Sequence, residues 1–195
     1  MHISKFSRIS TTVCPGSYAS VVYVSEGDGP GTDALSVADT LSVDRESLDL
    51  LAVDSEDSDP LAIPGIHKLL KSIKPAGLEC MMVTEGNDPA ALDDLVGAGY
   101  VDSVCFRICG NVSDAQKACI ATVRDAGCRF AVSVPMVPGR IDGDVLADIA
   151  KNTEGCRQFV MRSSDPRYGT EVFKKKELEA LAKTVRSLTK HPVLM

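Results

Sequence analysis

Two periodicities alternate along the chain. Short apolar runs rich in Val, Ile, Leu and Met are followed by longer stretches whose apolar residues recur at three- and four-residue spacing. The first kind predicts strands over Ser20–Ser25, Leu48–Asp54, Glu79–Thr84, Ser103–Cys109, Phe130–Pro135 and Gln158–Ser163, with a terminal one at Pro192–Leu194. The second predicts helices over Ile63–Ile73, Pro89–Gly97, Ser113–Ala126, Gly143–Lys151 and Lys176–Ser187. The stretch from Gly27 to Ser47 is just long enough for one short helix, Ala34–Leu41, so the first crossover is shortened. Asp88 before Pro89, and Ser113 before Asp114, are helix-start signals. Gly77, Gly97 and Gly127 are stop signals. In the helix from Ser113, the residues Ala115, Ala118, Cys119, Thr122, Val123 and Ala126 predict the core-facing stripe.

Strands and helices in strict alternation define an α/β protein with a parallel sheet. Right-handed crossovers between sequential strands curl such a sheet toward a barrel. Six strands give a partial (β/α)6 barrel rather than a closed eight-stranded one. No linker, low-complexity tract or repeat divides residues 1–195, so one domain is expected. At 195 residues and 44% apolar, the chain can build a sizeable core, and with no Trp that core rests on aliphatic side chains.

The net charge of −6 argues against a nucleic-acid partner, because no basic stripe would neutralise phosphates. Lys174, Lys175 and Lys176 read as a solvated helix start. No apolar run reaches the roughly 20 residues of a membrane span, and Met1–Lys5 carries no signal-like apolar region, so a cytoplasmic protein is expected. Seven dispersed cysteines without a C-x-x-C pair read as reduced thiols, not a disulfide framework.

Several segments, taken in order, resemble a known group. Residues 7–16 read Ser-Arg-Ile-Ser-Thr-Thr-Val-Cys-Pro-Gly and precede the first strand. Residues 69–89 run Leu69-Leu70-Lys71-Ser72-Ile73 through Gly77-Leu78 to Thr84-Glu85-Gly86-Asn87-Asp88-Pro89. Leu92–Val104 follows, then Val134-Pro135-Met136-Val137-Pro138-Gly139, and finally Phe159–Pro166. These resemble the entry segment, the "G-L-x-x-x-L-D-T-N-G-x-N-P" strand and turn, and the later strand ends of the radical-SAM activating enzymes. That family activates anaerobic ribonucleotide reductase and pyruvate formate-lyase. The resemblance implies a radical-SAM-type partial barrel and an anaerobic setting.

The family's chemistry does not carry over. The three cysteine positions of its C-x-x-x-C-x-x-C loop, which hold a [4Fe–4S] cluster, fall on Asp28, Thr32 and Leu35. Its Gly-Gly-Glu-Pro turn, which receives S-adenosylmethionine, corresponds to Asp57, Ser58, Asp59 and Pro60. Its inward polar positions become Val83, Glu85, Arg107 and Cys109. The resemblance therefore implies a pseudoenzyme: no [4Fe–4S] cluster and no cofactor, with S-adenosylmethionine not expected. As a regulatory or binding subunit it would engage a genuine radical-SAM enzyme, that enzyme's substrate protein, or a second copy of itself.

By period two, Cys105, Arg107 and Cys109 share one strand face, and the resemblance places Arg107, Arg162 and Glu85 at the C-terminal mouth of the sheet. Glu85, Arg107, Cys109 and Arg162 thus form the candidate ligand pocket. Two guanidiniums there could clamp a carboxylate or phosphate. Alternatively, Glu85 pairs with Arg107 or Arg162 and fills the space. The acidic stretch Asp54–Asp59 could hold Mg²⁺ or Ca²⁺, or act as a solvated turn that caps the next helix. Gly27–Thr32 lacks the Lys of a phosphate loop and reads as a remnant of the cluster loop. Cys14, Cys105 and Cys109 have no spacing that predicts a metal, and none is expected. Catalytic residues are not identified. The alternatives are an enzyme with a repurposed mouth pocket for a small anionic substrate, or residual S-adenosylmethionine binding.

Overall fold

The computed structural model describes residues 1–27, 34–163, 165, 167–169, 171–190 and 192–195. Eight strands form one sheet in sequence order: β1 (His2–Ser10), β2 (Ala19–Ser25), β3 (Leu50–Asp54), β4 (Glu79–Thr84), β5 (Ser103–Arg107), β6 (Arg129–Pro135), β7 (Phe159–Arg162) and β8 (Val193–Leu194). The β1–β2 pair is antiparallel and every later pair is parallel. Helices fill the crossovers: α1 (Ala34–Asp44), α2 (Ile66–Ile73), α3 (Pro89–Gly97), α4 (Asp114–Asp125), α5 (Gly143–Asn152) and α6 (Lys175–Leu188).

The buried apolar helix residues join one core, on the outer face of the sheet, with Val53, Met82, Val104, Phe106, Val132 and Phe159. The inner face carries a smaller cluster, made of Ala19, Val21, Leu50, Ala52, Met81, Val83, Cys105 and Ala131 with Val13. Helices on one face only, with strands in sequence order, make a singly wound, barrel-like sheet. Both faces of the central strands are covered, and this is why β3 and β5 are buried at every position.

The expected βα alternation is present, with three differences. First, β1 was not foreseen. Its sequence His-Ile-Ser-Lys-Phe-Ser-Arg-Ile-Ser lies at the sheet edge, where Lys5 and Arg8 face solvent and blunt further pairing. Second, α2 starts at Ile66 rather than Ile63, because Pro64-Gly65 intervenes and a 3-10 turn, Pro60–Ala62, precedes it. Third, β5 ends at Arg107, so Cys109 lies beyond the strand.

The expected stripe of α4 is also turned. Gln116, Cys119, Ile120 and Val123 are buried, whereas Ala118 and Ala126 are exposed. A capping box fixes this orientation: Ser113 Oγ accepts from Gln116 N at 3.2 Å, and Gln116 Oε1 accepts from Ser113 N at 3.0 Å. Gln116 Nε2 then reaches in to donate to Glu85 O at 2.8 Å. A polar residue is thereby drawn to the core face, and Cys119 stays a small core thiol.

Candidate functional site

The loop between β1 and β2 lies across the inner face as a strap. Its Val13 enters the inner cluster. Arg162, the last residue of β7, donates from Nη2 to Thr12 O at 2.7 Å and to Val13 O at 3.1 Å. Its Nε donates to Ser133 Oγ at 2.7 Å. Gln158 Nε2 donates to Pro15 O at 3.1 Å. At the other end, Tyr18 N donates to Asp49 Oδ2 at 2.7 Å.

The strap separates two cavities. One, of about 420 Å³, lies toward the N-terminal ends of the strands and is lined by Cys14, Gly16, Asp49, Glu79, Ser103 and Arg129, among others. Glu79 there accepts from both Ser103 and Arg129. The second cavity, of about 390 Å³, is at the C-terminal mouth, the end at which parallel α/β barrels bind ligands. Its floor is Val13, Val83 and Cys105, and its polar lining includes Asp54, Arg107, Ser133, Arg162, Asp165 and Arg167.

Four of those charges form a network. Arg107 Nη2 donates to both oxygens of Asp54, at 3.0 and 2.8 Å, and both side chains are buried. Arg167 holds Asp165 with two bonds, Nε to Oδ1 at 3.1 Å and Nη2 to Oδ2 at 2.9 Å. Its Nη1 donates to Ser55 O at 2.7 Å. Asp165 Oδ2 stands 3.6 Å from Arg107 Nε, beyond hydrogen-bond reach. That Nε is buried and has no hydrogen-bond partner among the described residues.

The carboxylates respond differently to burial. Burial pushes the Asp165 carboxyl up, but hydrogen bonds and charge from Arg167, with the charge of Arg107, outweigh it and hold the group below its ordinary range. Its contribution to stability is therefore present above the ordinary aspartate pKa of about 4 and is lost as pH falls through the lower folded value. Wild-type stability should drop from pH 5 to pH 2 more steeply than that of Asp165→Asn, read from urea midpoints. Equal slopes would contradict this. Asp59 has the opposite sign: burial raises its pKa despite bonds from Thr84 Oγ1 and the amides of Leu61 and Glu85. Its protonation on acidification favours the folded state, and it is common to both proteins in that comparison.

The expected pocket residues are only partly brought together. Arg107 and Arg162 line the mouth cavity. Glu85 pairs with neither arginine. Its Oε1 accepts from Tyr168 Oη at 2.6 Å and its Oε2 from Asn87 Nδ2 at 3.2 Å. Burial, then the bond to Glu85, pushes the Tyr168 hydroxyl well above its usual range. The partner of Arg107 is Asp54 instead. Cys109 does not line the cavity, since β5 ends before it; its Sγ lies 3.9 Å from Pro135 O. Asp165 and Arg167, on the loop after β7, complete the mouth and were not foreseen, nor was Tyr168 as the partner of Glu85.

In the acidic turn, Asp59 accepts from Leu61 N and caps the 3-10 helix that begins at Pro60, while Ser55 Oγ donates to Asp57 Oδ1 at 2.8 Å and lies 3.2 Å from Ser58 Oγ. Asp28 and Thr32, with the rest of the Gly27–Thr32 loop beyond Gly27, lie outside the described residues. Leu35 is in the first turn of α1.

The cysteines do not fit a thiolate-bound cluster. The sequence from Ser25 to Leu35 contains none. Cys80, Cys119 and Cys156 belong to the outer core, and Cys105 is buried on the inner face, where burial pushes its thiol up to about 11. Cys14 lines the other cavity. Among the described residues, no three His, Cys, Asp or Glu side chains converge as a metal site.

No protein-family model matches the chain, and no curated protein matches it. Solved structures do. SuiB of Streptococcus suis bound to its precursor peptide SuiA aligns over 100% of this chain and 48% of its own, with TM-score 0.65 and 10% identity. SuiB bound to S-adenosylmethionine aligns over 83% and 42%, with TM-score 0.62 and 10% identity. The carboxyl transferase domain of Rhizobium etli pyruvate carboxylase aligns over 82% and 31%, with TM-score 0.57 and 12% identity. The chain thus spans about half or less of the length of these structures. Its fold is like that of SuiB and like that of the carboxyl transferase domain. Among the described residues no helix is long and apolar enough to cross a membrane.

The strap is the part of the site most open to test. Arg162→Gln removes its two bonds to the strap carbonyls, and charge-assisted bonds are worth about 1.5–3 kcal/mol. Alkylation of Cys14, which is half-buried on the strap, should then accelerate roughly tenfold or more, as read by peptide mass spectrometry. An unchanged rate would mean that Arg162 does not hold the strap.

Proposed function

We propose that this chain is a catalytically degenerate radical-SAM-like protein, a partial (β/α)6 barrel of the activating-enzyme type that carries no iron–sulfur cluster and acts as a binding or regulatory subunit. The observation that carries this reading is the charged mouth, a cavity whose polar lining is set for a small ligand and not for a cluster. The C-terminal end of the strands, where a cofactor would lie, is built around the Asp54–Arg107 pair with Asp165 and Arg167 beside it. The strap further narrows the inner face. The absence of cysteine from Ser25 to Leu35, and the acidic turn whose Asp59 serves as a cap, agree with it.

A protein or peptide partner belongs to the reading. SuiB, aligned over the whole of this chain, is bound to a precursor peptide. The two-residue β8 leaves that edge of the sheet open to cover by a partner or a second copy. Equilibrium dialysis of anaerobically purified protein against labelled S-adenosylmethionine tests the reading. No retention above an albumin control is expected, and stoichiometric retention would overturn it.

A further inference from the structure

The mouth cavity has an unbalanced charge. Three guanidiniums line it, those of Arg107, Arg162 and Arg167, against the carboxylates of Asp54, Asp165 and Glu56. Glu56 is taken up at the rim by Lys5, at 3.0 Å. Arg107 and Arg167 are matched by Asp54 and Asp165. Arg162 donates only to Ser133 and to the strap carbonyls, and no carboxylate pairs with it among the described residues. One positive charge is therefore in excess.

A second, independent observation points to the same place. Arg107 Nε is a buried donor with no acceptor among the described residues, and a buried donor left unmet is unfavourable. Ser133 connects the two arginines: it is in register with Arg107 across β5 and β6 and accepts from Arg162. Asp165, at 3.6 Å, stands where a further acceptor for Arg107 would sit, yet both its oxygens are already held by Arg167. A ligand acceptor that takes this position requires the Asp165 side chain to turn toward Arg167. Below it lies an apolar floor of Val13, Val83 and Cys105.

We propose that the mouth cavity binds a small monocarboxylate with a short apolar chain, its carboxylate between Arg162 and Arg107 Nε and its chain on Val13, Val83 and Cys105. One negative charge neutralises the excess. A dianion would leave a net negative charge facing Asp54 and Asp165, which opposes dicarboxylates and, above about pH 8 where the titration is run, inorganic phosphate. The assignment rests on the reading of the mouth as a binding site without a cluster.

The test uses the full chain labelled with ¹⁵N-arginine, titrated with butyrate, succinate and inorganic phosphate while the Arg Nε–H resonances are followed. Butyrate is expected to shift those of Arg107 and Arg162 saturably. It should bind roughly tenfold or more tightly than either dianion, the cost of about one charge-assisted bond. Asp165→Asn removes the competing carboxylate and should tighten butyrate. Arg162→Gln should weaken it by roughly tenfold or more, with Arg162→Lys between, since Lys keeps the charge and loses the fork. No saturable shift in wild type and Asp165→Asn overturns the proposal. So does tighter binding of phosphate or succinate to wild type, or butyrate binding unchanged in both Arg162 variants. Stoichiometric iron retained by the same preparation would end the cluster-free reading, whereas failure of butyrate alone ends only the ligand assignment.

Discussion

Arg107→Leu should destabilise the protein by about 3–5 kcal/mol, the usual cost of breaking a buried ion pair from one side. Asp54 would remain in the sheet mouth with both bonds from Arg107 gone and, among the described residues, only the Ser55 amide, at 2.7 Å, as a donor within hydrogen-bond distance. Arg167 Nη1, at 3.7 Å, is too far to replace them. The loss comes from the stranded carboxylate and not from any large net value of the pair. Replacing both residues with Leu should therefore recover most of the stability, because well-packed apolar side chains often match or exceed a buried ion pair. Urea unfolding of wild type, both single variants and the double variant closes the cycle. A loss under about 1 kcal/mol in Arg107→Leu would contradict the buried network.

Phe106→Ala should cost a similar amount, about 3–5 kcal/mol, through a different cause. Phe106 is fully buried on the outer face of β5, and its ring meets that of Phe130 edge-on at 6.0 Å between centroids. It also lies against the turn after β4. Gly86 has φ +74°, and a Cβ there would come within 3.1 Å of the Phe106 ring. Sheet, turn and α4 have closed around this ring, so its removal leaves a cavity that the backbone cannot easily fill. Val172→Ala is the control: that side chain is 58% exposed, and its truncation should leave the urea midpoint nearly unchanged. Equal effects in the two variants would mean that the outer core is not packed as described.

Much of the sheet was legible because its periodicities are local. Glu79–Thr84 is a six-residue run buried at five positions, bounded by Gly77 and Gly86, and both its ends fall where expected. Pro89–Gly97 is likewise delimited by its own cap and stop signals. The edge strand β1 was not legible. Its apolar residues Ile3, Phe6 and Ile9 keep a spacing of three and not the strand spacing of two, and its register is broken by irregularities against β2. The stripe of α4 was misplaced because Gln116 is polar by type yet buried by its bonds to Ser113 and Glu85, which no hydrophobicity pattern reports.

The site divides along the same line. Arg107 and Arg162 could be placed because a strand alternates its faces, and a guanidinium at the C-terminal end of an otherwise buried strand must find a partner. The partners themselves come from elsewhere. Asp54 is 53 residues away in sequence, and Asp165 and Arg167 sit on a loop with no periodicity. Glu85 was the obvious carboxylate, one residue beyond β4, but Tyr168 reaches it first. The strap was hidden for the same reason: Thr12 and Val13 are held through their carbonyls, and a backbone acceptor leaves no mark on residue type.

We propose that this scaffold lacks the cluster chemistry of the group it resembles. The most direct test is anaerobic purification, reconstitution with iron and sulfide, removal of unbound iron, and measurement of bound iron together with sulfide-to-iron charge-transfer absorption. No iron above that of a cysteine-alkylated control and no charge-transfer band are expected. A stable, stoichiometric cluster would contradict this and would return the protein to the enzymes.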